Sequence, residues 1–139
     1  MAADFFVKDK KLTALPELVG DVIRVHSSFA DFKNCRLVGR KISLAEWNGE
    51  GYIATTADEC EWQATSGPIW IVGRVDGIRE VVLAGSGYSL TIGQKWNKGY
   101  LNVSISAVLS GAPYESLWEF NGNRYMKTKG RDEVAADLR

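Results

Sequence analysis

The chain has 139 residues, of which 45% are hydrophobic and 24% charged, and its 17 basic and 17 acidic side chains give a formal net charge of zero. This length is typical of one domain that buries about two-thirds of the surface its unfolded chain exposes. The lack of a basic excess argues against a nucleic-acid-binding protein, and no apolar run approaches the roughly 20 residues of a membrane span.

The only convincing helix is predicted near the N-terminus, over residues 13–27. Apolar side chains recur there at three- and four-residue spacing, at Leu15, Leu18, Val19, Val22 and Ile23. Thr13 is the expected N-cap, and Pro16 is tolerated because it falls in the first turn. We expect the apolar face to lie on a sheet. His26, the single histidine, follows the same stripe and is interpreted as a structural residue rather than a catalyst.

A succession of short β-strands is predicted from residue 34 to about residue 131. The segments are rich in Val, Ile, Tyr, Trp and Thr, and turn signals separate them at Asn48-Gly49, Asp76-Gly77, Gly85-Ser86-Gly87, Asn97-Lys98-Gly99, Ser110-Gly111 and Asn121-Gly122. We therefore expect one mainly β (α+β) domain over residues 1–139. Its antiparallel meander of about seven or eight strands is barrel-like or strongly curved, with the helix packed on it. The polar tail, 132–139, is expected to be a short helix or disordered.

One stretch occurs twice: SLAEWNGEGYIAT at 43–55 returns as SLWEFNGNRYMKT at 116–128, with seven of thirteen positions identical. Asn-Gly favours a type I′ hairpin turn, because both positions need positive φ. The aromatic before it and the Tyr after it are expected to meet across the hairpin. We interpret the repeat as a structural device. Duplication of a half-domain (36–75 and 103–131) and a repeated ligand site remain open.

Cys35 and Cys60 lie 25 positions apart. They have no neighbouring His ligands and no C-x-x-C spacing, which argues against a zinc site or a redox motif. The pair is either a disulfide or two buried free thiols. We favour the disulfide, which indicates an exported protein. The expected location is therefore the periplasm, with the signal peptide removed.

Signatures of catalysis are scarce in this sequence. There is no P-loop, no G-x-S-x-G and no glycine-rich strand-to-helix motif. Asp58, Glu59 and Glu61 form an acidic cluster, which is more typical of a solvated turn than of a calcium site. Glu46 and Glu119 occupy equivalent places in the two repeats, and we expect them on outer strand faces rather than facing each other as in a glycosidase. We predict neither enzyme activity nor a cofactor or metal.

Aromatic residues give a stronger indication of function. The chain has five Trp and five Tyr. Trp70, inside the apolar run PIWIV, is assigned to the core. Trp62 and Trp96 adjoin polar turns, and partly exposed Trp side chains at such places are typical anchors of protein interfaces and platforms for sugar rings.

The stretch GSGYSLTIGQKWNKGYLNVSI, at 85–105, resembles the bacterial periplasmic lysozyme inhibitors. In those small β proteins a loop with a Ser-Gly-x-x-Tyr-like motif enters the active-site cleft of the enzyme, and a Lys-Gly hairpin supports it. The resemblance implies that the residues that bind the partner here are Ser86, Gly87, Tyr88, Trp96 and Lys98, together with Tyr125 and Lys129 in the similar YMKTKG segment. More loosely, the chain resembles immunity proteins that neutralise cell-wall hydrolases.

The function expected from these features is stoichiometric inhibition of a cell-wall-degrading hydrolase or effector, as an immunity protein or lysozyme inhibitor. The alternatives are a carbohydrate- or lipid-binding β module of the cell envelope and a structural subunit of an envelope complex. The expected partner is a protein rather than nucleic acid. The chain itself is expected to be a monomer or a homodimer.

Overall fold

The computed structural model describes residues 3–44 and 51–132, with side chains up to residue 128. Within these residues, the chain forms ten strands in two antiparallel sheets, one α-helix and two 3₁₀ segments. The strands are β1 (Phe5–Phe6), β2 (Thr13–Ala14), β3 (Leu37–Ile42), β4 (Gly51–Thr56), β5 (Gly67–Val75), β6 (Ile78–Gly87), β7 (Ser89–Asn97), β8 (Tyr100–Leu109), β9 (Ala112–Phe120) and β10 (Tyr125–Asp132). Helix α1 spans Glu17–Arg24, and the 3₁₀ segments span Ser27–Phe32 and Ala57–Glu59.

The strands divide into an N-terminal sheet, in the order β2-β3-β4-β5-β6, and a C-terminal sheet, in the order β1-β7-β8-β9-β10. Only Tyr88 separates β6 from β7, so the chain passes there from one sheet into the other. The prediction of a mainly β fold with one helix is confirmed. The prediction of seven or eight strands in a barrel-like sheet is wrong, because the ten strands of the described residues form two sheets and not a closed barrel.

The central strands of the N-terminal sheet, β4 and β5, are buried on both faces. Along β5, Ile69 and Ile71 face the C-terminal sheet, whereas Trp70 and Val72 face helix α1. This arrangement explains why β5 reads as an almost continuous apolar run rather than as an alternating strand. The molecule therefore has three layers, in the order helix, N-terminal sheet and C-terminal sheet. The large core lies between the two sheets, and a smaller one lies under the helix.

Helix α1 is shorter than the predicted 13–27. Thr13 does not cap it, because Thr13 pairs with Gly39 at the edge of the N-terminal sheet. The extended Pro16 precedes the helix instead. Val19 and Ile23 are buried against the sheet as expected.

After the helix, the chain forms the 3₁₀ segment Ser27–Phe32. The His26 side chain caps this segment by accepting a hydrogen bond from the Ser28 backbone N–H.

Three of the predicted hairpin turns have positive φ at both central residues, as type I′ turns require. They are Asp76-Gly77, Lys98-Gly99 and Ser110-Gly111. The predicted turn Gly85-Ser86-Gly87 is wrong, because these residues belong to β6. At Asn121-Gly122 only the glycine has positive φ, so this hairpin has a longer loop in which Asn121 Oδ1 accepts from two backbone N–H groups.

The predicted disulfide is confirmed, with the Cys35 and Cys60 Cα atoms 5.7 Å apart. It ties the segment before β3 to the turn after β4. Within the described residues, no helix combines the length and the apolar character needed to cross a membrane. The predictions for Glu46, for the Asn48-Gly49 turn and for the tail after residue 132 lie outside the described residues.

Candidate functional site

The predicted Ser86-Gly87-Tyr88 loop is part of the passage between the two sheets. Gly87 lies so close to β8 that a Cβ atom there would be 2.4 Å from the Ser106 carbonyl oxygen. The Tyr88 backbone N–H donates to the same oxygen at 2.8 Å. This segment is therefore held by backbone contacts and does not project as a loop, although the Ser86 side chain is exposed.

Trp96 and Lys98 lie at the other end of β7. Trp96 is 49% exposed and pairs with Leu101, and Lys98 is the first residue of the β7–β8 turn. Tyr88 and Trp96 are eight positions apart, but a β-bulge between Ile92 and Trp96 shortens the strand, and the register with β8 places them roughly 20 Å apart. The structure therefore does not bring the two predicted binding segments together.

The remaining predicted site residues lie on β10. Tyr125 is buried, and its hydroxyl donates to the Leu101 carbonyl oxygen. Lys129 pairs with Leu117 through the backbone, and its side chain lies outside the described part. Tyr125 therefore supports the nearby loops from beneath instead of presenting its hydroxyl to a partner.

Three hairpin connections meet at the end of the molecule that carries Lys98. They are the β5–β6 turn, the β7–β8 turn and the β9–β10 loop, and we call this region the hairpin end (residues 74–80, 95–100 and 120–125). A shallow cavity of about 380 Å³ joins them. Arg74 and Gly77 line one side of it, Lys98 and Tyr100 the second, and Gly122 the third.

Stacked aromatic rings form the floor of the hairpin end. The Tyr100 and Phe120 rings stack with centroids 4.1 Å apart, and Tyr125 meets Phe120 edge-on at 5.5 Å. The Phe120–Tyr125 contact confirms the predicted meeting of the two aromatics across the Asn-Gly hairpin, whereas its counterpart Trp47 lies outside the described residues. Such ring pairs contribute about 0.5–1.5 kcal/mol beyond their buried area, so the floor fixes the three loops relative to one another.

Tyr100 also joins the C-terminal sheet to the N-terminal sheet at this end. Its hydroxyl donates to the Arg74 backbone carbonyl oxygen at 3.1 Å. The Arg74 backbone N–H donates to the same hydroxyl at 3.3 Å. Burial raises the pKa of the Tyr100 phenol, and the hydrogen bond with Arg74 opposes this effect only in part. The hydroxyl is therefore a structural link and stays neutral at ordinary pH.

The surface of the hairpin end combines positive charge with exposed apolar groups. Its residues include five basic side chains, Arg74, Arg79, Lys95, Lys98 and Arg124, but only two acidic ones, Asp76 and Glu80. Ile78 is 64% exposed, on the turn next to that of Trp96. Trp and Arg side chains are enriched in protein interfaces, so this surface has part of the composition of an interface.

Of the residues at the hairpin end, Trp96, Lys98 and Tyr125 were predicted to bind a partner, and the other contributors were not. Asp76-Gly77 was recognised as a turn, yet no sequence signal shows that this turn lies beside Lys98. The two turns come from different sheets, and the Tyr100–Arg74 contact that joins them spans 26 residues. Arg74 and Ile78 were therefore not predicted.

No protein-family model, no curated protein and no solved structure matches this chain. The resemblance to lysozyme inhibitors therefore stays a prediction. Within residues 3–44 and 51–132, no group of three or more His, Cys, Asp or Glu side chains is placed to hold a metal ion.

Proposed function

We propose that this protein is an exported, periplasmic inhibitor of a cell-wall-degrading hydrolase, and that it binds its target stoichiometrically through the hairpin end. The observation that carries the proposal is the joining of three hairpin connections over one aromatic floor. Loops fixed in this way lose little conformational entropy on binding, which favours affinity. The protein contributes no chemistry of its own.

Charge complementarity supports this choice of target. Glycoside hydrolases of the cell wall cleave with a pair of carboxyl groups in an open cleft. Lys98, at the tip of a tight turn, is placed to donate hydrogen bonds to such carboxylates. The positive balance of the hairpin end would also steer the protein towards a negatively charged cleft.

Trp96 supplies the apolar part of the proposed interface. Half-exposed Trp residues next to charged rims dominate the binding energy of many interfaces. In the free protein the Trp96 ring lies at the hairpin end beside the exposed Lys98. We assign Trp96 the role of the anchor and Lys98 that of the group that enters the cleft.

Export is supported by the disulfide, because disulfides persist in oxidising compartments. The two segments that suggested the resemblance do not act together in this proposal. Tyr88 lies roughly 20 Å from Trp96 along β7, and Ser86 lies beyond it on β6, so a cleft that receives Lys98 would leave both outside the centre of the contact.

Inhibition assays with purified enzymes test the proposal. A panel of muramidases, glucosaminidases, lytic transglycosylases and amidases should be assayed on purified peptidoglycan with increasing amounts of the protein. We expect at least one glycan-cleaving enzyme to lose activity at a 1:1 ratio. Trp96→Ala and Lys98→Gln should each raise the inhibition constant at least tenfold, or about 1.4 kcal/mol.

Lys127→Gln is the matched control, because it removes one exposed lysine of the same sheet that lies outside the hairpin end, with its Nζ 5.9 Å from the centre of the Tyr114 ring. It should leave the inhibition constant unchanged. The proposal fails if no enzyme of the panel is inhibited. It also fails if Trp96→Ala and Lys98→Gln inhibit as well as the wild type.

A further inference from the structure

A second concave surface lies at the opposite end of the sheets from the hairpin end. It is a half-open groove of about 400 Å³ between the 3₁₀ segment Ser27–Phe32, the paired ends of β5 and β6, and the inner face of β8, β9 and β10. This volume lies within the usual range for sites of small ligands, about 300–1,000 Å³. We call it the aromatic groove.

Aromatic rings form much of the wall of the aromatic groove. Phe32 stands edge-on to the buried Trp70 at 5.4 Å, on the side of the N-terminal sheet. Trp118 and Tyr114 lie opposite, on β9. Trp118 can approach β6 closely because residue 85 is a glycine: a Cβ atom there would be 3.3 Å from Trp118 Cζ2. A side chain at this position would therefore require the Trp118 ring to move by a few tenths of an ångström.

The polar groups of both indoles are satisfied within the protein. Trp70 Nε1 donates to Ser28 Oγ, and Trp118 Nε1 donates to Ser116 Oγ, each at 2.8 Å. These bonds hold both rings in fixed orientations. Trp70 is buried behind Phe32, so Trp118, which is partly exposed, is the indole that remains for contact with a ligand. The exposed hydroxyl of Ser86 adds a donor and acceptor at the rim.

One cation, Lys127, stands at the open side of the groove. Its backbone pairs with Trp118, and its Nζ lies 5.9 Å from the centre of the Tyr114 ring. None of the side chains described as lining the groove is acidic. Among the described residues Lys127 forms no ion pair either. The described lining of the groove therefore carries one positive charge and no acidic side chain to balance it.

We propose that the aromatic groove binds an acidic saccharide, with a sugar ring against Trp118 and Tyr114 and the sugar carboxylate on Lys127. Aromatic faces and edges suit the C–H faces of pyranose rings. The rim hydroxyl of Ser86 suits sugar hydroxyls, and an unpaired lysine suits a carboxylate. A lipid tail would use neither the cation nor the hydroxyl. This site is distinct from the hairpin end, and the inference does not depend on hydrolase inhibition.

Intrinsic fluorescence and calorimetry test this inference, because Trp118 and Trp70 line the groove. The acidic probes are trigalacturonate and the disaccharide of N-acetylglucosamine and N-acetylmuramic acid. Their neutral counterparts are α-1,4-galactotriose and chitobiose. We expect at least one acidic probe to shift the tryptophan emission saturably and to bind at least tenfold more tightly than its neutral counterpart. Raising the salt concentration should weaken this preference.

Variants then locate the site. Lys127→Gln, at an exposed position, should abolish the preference for the acidic probe while leaving the protein folded. Tyr114→Ala should weaken acidic and neutral sugars alike. Lys98→Gln, which removes a lysine at the opposite end of the molecule, should change neither affinity.

Three results would overturn the inference. The first is the absence of saturable binding by either acidic probe. The second is equal affinity for an acidic probe and its neutral counterpart. The third is an equal loss of affinity in Lys127→Gln and Lys98→Gln, which would indicate attraction by the net charge rather than a site. Hydrolase inhibition is measured separately, so either proposal can fail without the other.

Discussion

Tyr125 shows how one side chain supports the hairpin end. It is 3% exposed, its hydroxyl donates to the Leu101 carbonyl oxygen, and its ring packs against Tyr100 and Phe120. Burial raises the pKa of the Tyr125 phenol far above its ordinary value, and the neighbouring Tyr100 phenol raises it further. The folded protein therefore keeps Tyr125 neutral where the unfolded chain would ionise it.

This difference predicts a loss of stability at alkaline pH. A group whose pKa is higher in the folded state stabilises the fold fully below the unfolded pKa, which is about 10 for tyrosine, and loses this effect as the pH rises. The contribution of Tyr125 should fall by about 1 kcal/mol by pH 11. In Tyr125→Phe, this part of the pH dependence should disappear, and the variant should already be about 1 kcal/mol less stable at pH 8 because Leu101 loses its donor.

Urea unfolding at pH 8 and pH 11 measures both effects. If Tyr125→Phe loses as much stability between these pH values as the wild type, the buried phenol does not cause the alkaline sensitivity.

The Phe120–Tyr125 pair was predictable from the sequence, because a hairpin joins the two residues. Their contact with Tyr100 was not, since it comes from a different hairpin and depends on how β8 and β9 align.

Among the elements, the β6–β7 passage departs most from the sequence prediction. Gly85, Ser86 and Gly87 read as a turn because glycine most often marks one. Here Gly85 makes room for Trp118, and Gly87 makes room for the backbone of β8. Glycine inside a strand can mark close approach of another chain segment. The sequence alone does not show whether a glycine forms a turn or makes room for a neighbouring segment.

Gly87→Ala tests this use of glycine. The added Cβ atom would meet the Ser106 carbonyl oxygen at 2.4 Å, so β6 or β8 must shift. We expect the free energy of unfolding to fall by about 1–3 kcal/mol. Ser86→Ala, at the exposed neighbouring position, should stay within about 0.5 kcal/mol of the wild type. Chemical unfolding measures both, and equal stabilities would contradict the close approach of β6 and β8.

The N-terminal elements show a second limit of local prediction. The apolar spacing correctly indicated a helix lying on a sheet, but it overestimated the length. Residues before Pro16 pair with β3 instead of joining the helix. Strands of two residues, such as β1 and β2, carry no alternation of their own. Their existence depends on the edges of the two sheets, which sequence periodicity does not reveal.

At the scale of the whole molecule, local hairpins were predictable and their arrangement was not. Type I′ turns follow from short residue patterns. The division into two sheets depends on contacts between residues distant in sequence, such as the pairing of β1 with β7. The disulfide was also predictable, and a loop of this length stabilises a fold by about 3 kcal/mol in the chain-entropy model.

The same arrangement separates two surfaces of different chemistry. The hairpin end carries Trp96, Ile78 and a group of cations, and the aromatic groove carries one cation among rings. The predicted interface combined residues of both surfaces, because the resemblance to lysozyme inhibitors was drawn from one segment that contains both Ser86 and Lys98, twelve positions apart. The extended β7 strand between them places these residues at opposite ends of the molecule.

Amide hydrogen exchange, measured with and without a hydrolase that the inhibition assays identify, would show directly which end forms the proposed interface. We expect new protection in the turns of the hairpin end, at 76–78, 97–100 and 121–124, and unchanged exchange at 85–89 and 108–114. Protection at 85–89 or 108–114, with none at the hairpin end, would contradict the proposed interface.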